Sequence, residues 1–332
     1  MAPLFTAALA SPNIALIKYW GNRNHELRVP SNDSLSFTLA HLQTRTSVSF
    51  KQDYERDLLI LDGTEAPEAA RLRASNVLDR IRELSGRSEY ARIESENNFP
   101  SGAGIAASSS AFAALALAGT AAAGLAFDSR QLSRLARLGS GSAARSIFGG
   151  FAWLHAGRDD ATSFAEQIYP RDHWLLTDCI AIVQPGEKKV GSTDGHQLAE
   201  TSPLQKARIE DTPRRLELAR AAIGNRDFDA LAAVSEQDSN MMHAVMLTSV
   251  PPLLYWTPGT LEVMHQVQAW RASGDPVFYT VDAGPNVHCI APLNFQQELA
   301  ARLRDLPSVQ QVLQAPIGAG ATLQLGQSST SG

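Results

Sequence analysis

The chain has 332 residues, 44% of them hydrophobic and 19% charged, with a formal net charge of −5. That balance belongs to a soluble globular protein with core enough for one large or two moderate domains. The scattered Lys and Arg exclude the basic stripe of a nucleic-acid or membrane-surface binder.

In chain order, MAPLFTAALASPN lacks the basic start and long apolar run of a signal peptide. Strands are expected in NIALIKYWG (13–21), SNDSLSFTL (31–39) and TRTSVSF (44–50), around the polar turn NRNHELRVPSND. Apolar residues at helical spacing predict a helix over 67–85 that stops at Gly86. The strand ARIESEN then leads into a Gly/Ser loop and a helix over 109–123. A shorter amphipathic helix over 129–138 is capped by Ser129 or Asp128. The Ala-rich run 111–127 is broken by Gly119, Thr120 and Gly124, so no membrane span is expected and the cytoplasm is the default location.

GSGSAARSIFGG (139–150) is a second small-residue segment, followed by the strand FAWLHAG. WLLTDCIAIVQP (174–185) reads as a buried strand, and the polar loop GEKKVGSTDGHQ follows it. Helices are expected over 203–224, 227–247, 261–273 and 294–304, with strands in PVFYTVDAG and VHCIAPL and a disordered tail QSSTSG. Cys179 and Cys289 each sit in an apolar run, which reads as buried reduced thiols. Strands and helices do not alternate regularly, so the fold class is α+β, in two lobes sharing a core with a soft boundary near 175–190.

Four stretches can carry chemistry. NNFPSGAGIAASSSAFAALALAG (97–119) is neither a Walker loop nor a dinucleotide fingerprint. Its glycines and Ser108, Ser109 and Ser110 suit either a plain capped turn or a phosphate nest at a helix mouth. Asp282, ending a strand in VDAGPN, is either a turn carboxylate or a base. Lys18 shares a face with Ile14, Leu16 and Trp20 on strand alternation, which favours a buried, paired lysine over an outward one. Arg145, among small residues, is either a surface cation or a clamp for carboxylate or phosphate. His196, His243, His265 and His288 lack metal-ligand spacing, and no GxSxG, HExxH or CxxC is present.

Together, SPNIALIKYWGNRN, PSNDSLSFTL, ENNFPSGAGIAASSSAFAALA, GSGSAARSIFGGF, KKVGSTDGHQL, EQDSNMMHA with SVPPLLYW, and YTVDAGPN resemble the GHMP kinase superfamily. Within it they resemble the mevalonate diphosphate decarboxylases, in order and through most of the chain. The resemblance implies an α+β two-lobed GHMP fold. Its ATP-binding lobe, 1–180, is similar to ribosomal protein S5 domain 2; an α/β sandwich lobe spans 181–325 and a disordered tail 326–332. It also implies ATP and Mg²⁺ as cofactors, a phosphorylated mevalonate as substrate, and a homodimer. ATP phosphorylates the tertiary 3-hydroxyl, and the new phosphate leaves as CO₂ is lost.

By the same resemblance Asp282 orients or deprotonates the 3-hydroxyl, Lys18 keeps that aspartate ionised, and Arg145 grips the C1 carboxylate. Asn13 contacts the carboxylate side. Tyr19, Ser140, Ser142 and Ser192 surround the substrate's phosphates and hydroxyl. Gly102, Gly104, Ser108 and Ser109 form the ATP phosphate loop, with Ser108 also offered to Mg²⁺, and Asn97 and Asn98 precede it.

Two departures bear on the substrate. The family's lysine in KYWGKR is Asn22 here, which removes a charged hydrogen bond worth about 1.5–3 kcal/mol at the 5-diphosphate. Asp33 stands where NSSLS is usual and adds negative charge. Both favour 5-phosphomevalonate, giving isopentenyl phosphate, over 5-diphosphomevalonate. The diphosphate is retained if Arg23, Lys188 or Lys189 replaces the lost cation. Phosphorylation without decarboxylation, and a non-catalytic ligand sensor, are the remaining readings. Asp282 and Arg145 count against the first, and the intact Gly/Ser loop against the second.

Overall fold

The computed structural model describes residues 6–99, 107–184 and 191–324, apart from the side chains of 192–194. From the N-terminal side come β1 (Thr6–Ala10), β2 (Asn13–Ile17), β3 (Asn22–Asn24), β4 (Val29–Pro30), β5 (Ser34–Thr38) and β6 (Thr44–Lys51). Next are β7 (Leu58–Leu61), β8 (Thr64–Glu65), α1 (Glu68–Ser85) and β9 (Tyr90–Asn97). Helices α2 (Ala107–Ala122), α3 (Ser129–Gly139) and α4 (Ala143–Ser146) lead to β10 (Phe151–His155) and β11 (Phe164–Tyr169).

The second half opens with β12 (Leu176–Ile182), α5 (Ser192–Leu198), α6 (Gln205–Asn225), α7 (Phe228–Thr248) and α8 (Pro258–Ala272). It closes with β13 (Phe278–Val281), β14 (Val287–Pro292), α9 (Gln296–Arg304), β15 (Gln311–Pro316) and β16 (Thr322–Gln324).

The strands assemble in the orders β16-β1-β6-β9-β7-β8, β11-β10-β5-β2 and β13-β14-β12-β15, with β3 and β4 as a small hairpin. Among the described strand pairs only β7 with β9 is parallel, which is the α+β arrangement expected. In the first sheet Val48, Ala91 and Ile93 pack under α1 and α2, whose Val77, Leu78, Ile81, Phe112 and Leu115 are buried. In the third sheet Cys179, Tyr279, Val287 and Cys289 face α8 and α9. Its other face meets α6, α7, β2 and β5 in one core containing Ile14, Leu16, Phe37, Ile180, Leu216, Leu231, Phe278 and Ile290. That shared core brings β2 of the first half against the end of β13 of the second.

Local chemistry explains several boundaries. Gly86 closes α1 with φ 68°, a left-handed cap that favours glycine. Asp128, not Ser129, is the N-cap of α3: it accepts from the Gln131 N–H while the Gln131 side chain returns to the Asp128 N–H. No described helix is long and apolar enough to cross a membrane. Both cysteines are buried and unpaired with one another.

Candidate active site

The centre of the site is an ion pair across the shared core. Lys18 follows β2 and Asp282 follows β13; Nζ lies 2.5 Å from Oδ1. The lysine side chain is 1% exposed and the aspartate 26%, so the carboxylate is the member that can meet a ligand. The turn after Asp282 is closed by the Gly284 N–H donating to the Asp282 carbonyl at 2.7 Å, through the backbone. Lys18 is buried as expected, but strand alternation is not the reason. The pairing of β2 with β5 shifts register between Ala15 and Ile17, and every residue from 13 to 20 is buried on both sides of the bulge.

Arg145 on α4 is 2% exposed. Its Nε donates to Ser36 Oγ at 2.9 Å and Asn13 Oδ1 at 3.2 Å, and Nη1 donates to Ser34 Oγ. Each of these partners is neutral. Burial pulls the guanidinium down to about 10, with the Asp282 carboxylate opposing, so it stays cationic at neutral pH. A buried cation held by hydroxyls and an amide is a ready receptor for an anion. Asn13 also donates to the Ser142 carbonyl at 3.0 Å and Ser146 Oγ at 2.8 Å, so it aligns α4 and Arg145 together.

Hydroxyls run from this centre toward the start of α2. Ser140 Oγ is 3.3 Å from Ser142 Oγ and 3.2 Å from Ser108 Oγ. Ser108, Ser109 and Ser110 lie inside the first turn of α2 rather than before it. Ser110 donates to the Ala107 carbonyl and meets Thr44 Oγ1 at 2.6 Å, while Ser109 is fully buried. Thr44 in turn donates to Asn97, and Asn98 is tied to His41 and Gln43. Gly102, Gly104 and the side chain of Ser192 lie outside the described residues, as do Lys188 and Lys189. Among the described residues no three His, Cys, Asp or Glu side chains gather as a metal site. The hydroxyls at a helix N-terminus fit phosphate oxygens, and a hard cation carried mainly by those phosphates.

Tyr19, Asn22 and a missed histidine build the other end. The Tyr19 hydroxyl donates to Asn22 Oδ1. Burial pushes that hydroxyl up to about 12, while the charges of Arg28, Arg137 and Arg145 pull the other way. The tyrosine ring stacks on His196 at 4.3 Å, and His196 Nδ1 accepts from the Gly21 N–H at 2.9 Å. Burial brings His196 down to about 3, which keeps it neutral. His196 was legible only as part of KKVGSTDGHQL, since nothing local marks a stacking histidine.

Asp33 is held by partners of its own. Its carboxylate accepts from the Ala156 N–H at 2.7 Å and from Trp153 Nε1 at 2.9 Å, and faces His155. Burial would raise its carboxyl, but these hydrogen bonds outweigh it and hold the group below the usual carboxylate range. Arg23 is likewise engaged, donating to the Gly157 carbonyl at 2.7 Å. Arg28 instead donates through Nε to the Leu138 carbonyl at 3.0 Å, two residues before Ser140.

Residues 10–165 match the family profile of the diphosphomevalonate decarboxylase-like N-terminal domain, and residues 179–323 that of the mevalonate 5-diphosphate decarboxylase C-terminal domain. A diphosphomevalonate decarboxylase of Ganoderma lucidum is 38% identical over 322 residues, covering 89% of this chain and 80% of that protein. A phosphomevalonate decarboxylase of Haloferax volcanii is 35% identical over 283 residues, covering 85% and 86%. A solved structure described as MDDEF in complex with MVAPP, AMPPCP and magnesium superposes with a TM-score of 0.91. It is 40% identical, over 97% of this chain and 99% of that one.

Proposed function

The chain belongs to the diphosphomevalonate decarboxylase family, and from that premise we propose that it decarboxylates a 5-phosphorylated mevalonate with ATP and Mg²⁺, the diphosphate being the favoured substrate. ATP supplies the phosphoryl group that makes the 3-oxygen a leaving group; overall, ATP and 5-diphosphomevalonate give ADP, phosphate, CO₂ and isopentenyl diphosphate. The chain's residues do the rest. Asp282, the partly exposed member of the pair, takes or orients the proton of the tertiary 3-hydroxyl. Lys18 holds that carboxylate charged and in place. Arg145 receives the C1 carboxylate, whose C1–C2 electrons become the C2–C3 double bond as the 3-oxygen departs. Ser108, Ser140 and Ser142 offer hydroxyls to phosphate oxygens and, through Ser108, to the metal.

The observation that carries this reading is the Lys18–Asp282 pair with a buried Arg145 close enough to feel its charge, whose hydrogen-bond partners among the described residues are all neutral. A carboxylate receptor beside a base suits a reaction that consumes both a carboxylate and a hydroxyl proton.

The diphosphate takes precedence over the monophosphate that Asn22 and Asp33 suggested in the sequence. Asp33 is engaged with Trp153, His155 and Ala156, and Arg28 brings positive charge toward Tyr19. The Ganoderma relative bears a diphosphomevalonate name. The monophosphate stands as a second reading because position 22 is neutral and paired with Tyr19, and because the Haloferax relative is named for that substrate. The deciding measurement is kcat/KM for each substrate with ATP and Mg²⁺, following ADP and CO₂ together. The diphosphate is expected to be turned over at least about tenfold better, a difference of about 1.4 kcal/mol. A preference for the monophosphate would reverse the assignment, and ADP without CO₂ would make the chain a kinase.

A further inference from the structure

The ammonium of Lys18 is placed by its own peptide, and that peptide has left the sheet. β2 ends at Ile17 after its bulge, so the Lys18 N–H and C=O lack strand partners while lying in a buried setting where both must be satisfied. Two of the partners come from the other half of the molecule and one from the turn before β5. The N–H donates to Asp238 Oδ2 on α7 at 2.6 Å. The carbonyl accepts from Arg208 Nη2 on α6 at 2.7 Å and from Asn32 Nδ2 at 2.9 Å.

These side chains are also tied to one another. Arg208 Nη1 donates to Asn32 Oδ1 at 3.1 Å. Arg215 Nε donates to Asp238 Oδ1 at 2.8 Å, and its Nη2 to the Arg208 carbonyl at 2.9 Å. Asp238 and Arg215 are 0% exposed, Arg208 1% and Asn32 4%. Buried ion networks are a poor source of stability, because apolar packing of the same volume does as well or better. What this one supplies is a grip on both peptide groups that flank the Lys18 Cα.

We infer that Asp238, with Arg215, Arg208 and Asn32, forms a positioning network for the reaction, holding the Lys18 peptide so that Nζ stays on Asp282 Oδ1. Asp238 touches neither the carboxylate of Asp282 nor the Arg145 receptor in any described contact; it acts through Lys18. The inference rests on the reading of Lys18 and Asp282 as the reacting pair.

The test is a double-mutant cycle of Asp238→Asn and Lys18→Met, with kcat, KM for both substrates and thermal melting measured on each. An asparagine at 238 can still accept from one donor but turns its NH₂ toward the other. Loss of the lysine's alignment is expected to lower kcat about 100-fold with KM held within about threefold. Because Asp238 works through Lys18, the double variant should be no slower than Lys18→Met alone. Additive losses, a folded Asp238→Asn with wild-type kcat, or a loss confined to KM would each overturn the inference. Should Asp238→Asn not melt cooperatively, Arg208→Lys replaces it: the charge is kept, the double grip on Lys18 and Asn32 is lost, and kcat is expected to fall about tenfold, about 1.4 kcal/mol. An unchanged kcat in Arg208→Lys overturns the inference equally. A fully active Lys18→Met would instead sink the reacting pair itself, whatever Asp238 does.

Discussion

Arg145 shows how one residue type can be decisive. Its planar fork reaches Asn13, Ser34 and Ser36 at once. An ammonium at that position cannot span the same set, so Arg145→Lys should lower kcat/KM about a hundredfold, as expected for truncating a buried charged contact worth about 3 kcal/mol. Steady-state assays of CO₂ release read this, and wild-type turnover would show that the carboxylate is held elsewhere. Lys18, Asp282 and Arg145 stood out in the sequence as charges in apolar or small-residue settings, their roles came from the family resemblance, and the structure brings Lys18 and Asp282 into contact. What the sequence hid were contacts distant along the chain: the partners of Asp33, Trp153 and Ala156, lie more than a hundred residues onward. Asp238 was visible only as a letter in EQDSNMMHA, because its partner is a backbone N–H on another element.

Between elements, a tight constraint lies where the Ser140–Gly141–Ser142 segment passes the Tyr19 ring. A Cβ on Gly141 would stand 2.3 Å from Tyr19 Cε1 and 2.6 Å from its hydroxyl oxygen. Gly141→Ala should therefore displace the ring, break its bond to Asn22 and disturb Ser140 and Ser142 together. The expected result is KM for the mevalonate substrate raised about tenfold, about 1.4 kcal/mol, with the thermal midpoint little changed. An unaltered KM would mean that Tyr19 does not line the substrate. At this scale the caps of α1 and α3 and most helices were readable from local chemistry. β16 was not, because it is three residues long and pairs with β1 at the far end of the chain.

Across the molecule, two buried histidines set the acid response. Burial takes His196 down to about 3 and His243 to about 4, against about 6.5 when unfolded. The unfolded chain therefore binds protons first, and stability is complete above pH 6.5 and lost as pH falls below it. Between pH 6 and 5 both contribute, roughly 2 kcal/mol per pH unit in total. His155 runs the other way: hydrogen bonding to Asp33 raises it, so its contribution is kept in acid and lost as pH rises through its raised value. Urea melts at pH 7 and pH 5 should show the acid loss, and His196→Gln should make it shallower; equal slopes would discard the assignment. The closing strand of the first sheet has a different kind of consequence. β16 pairs with β1, Ala7 facing Gln324, although nearly the whole chain separates them. During translation β1 emerges from the ribosome with its outer edge unpaired and stays so until β16 follows. A nascent chain stalled short of residue 322 therefore offers an open strand edge to chaperones, and to other nascent chains.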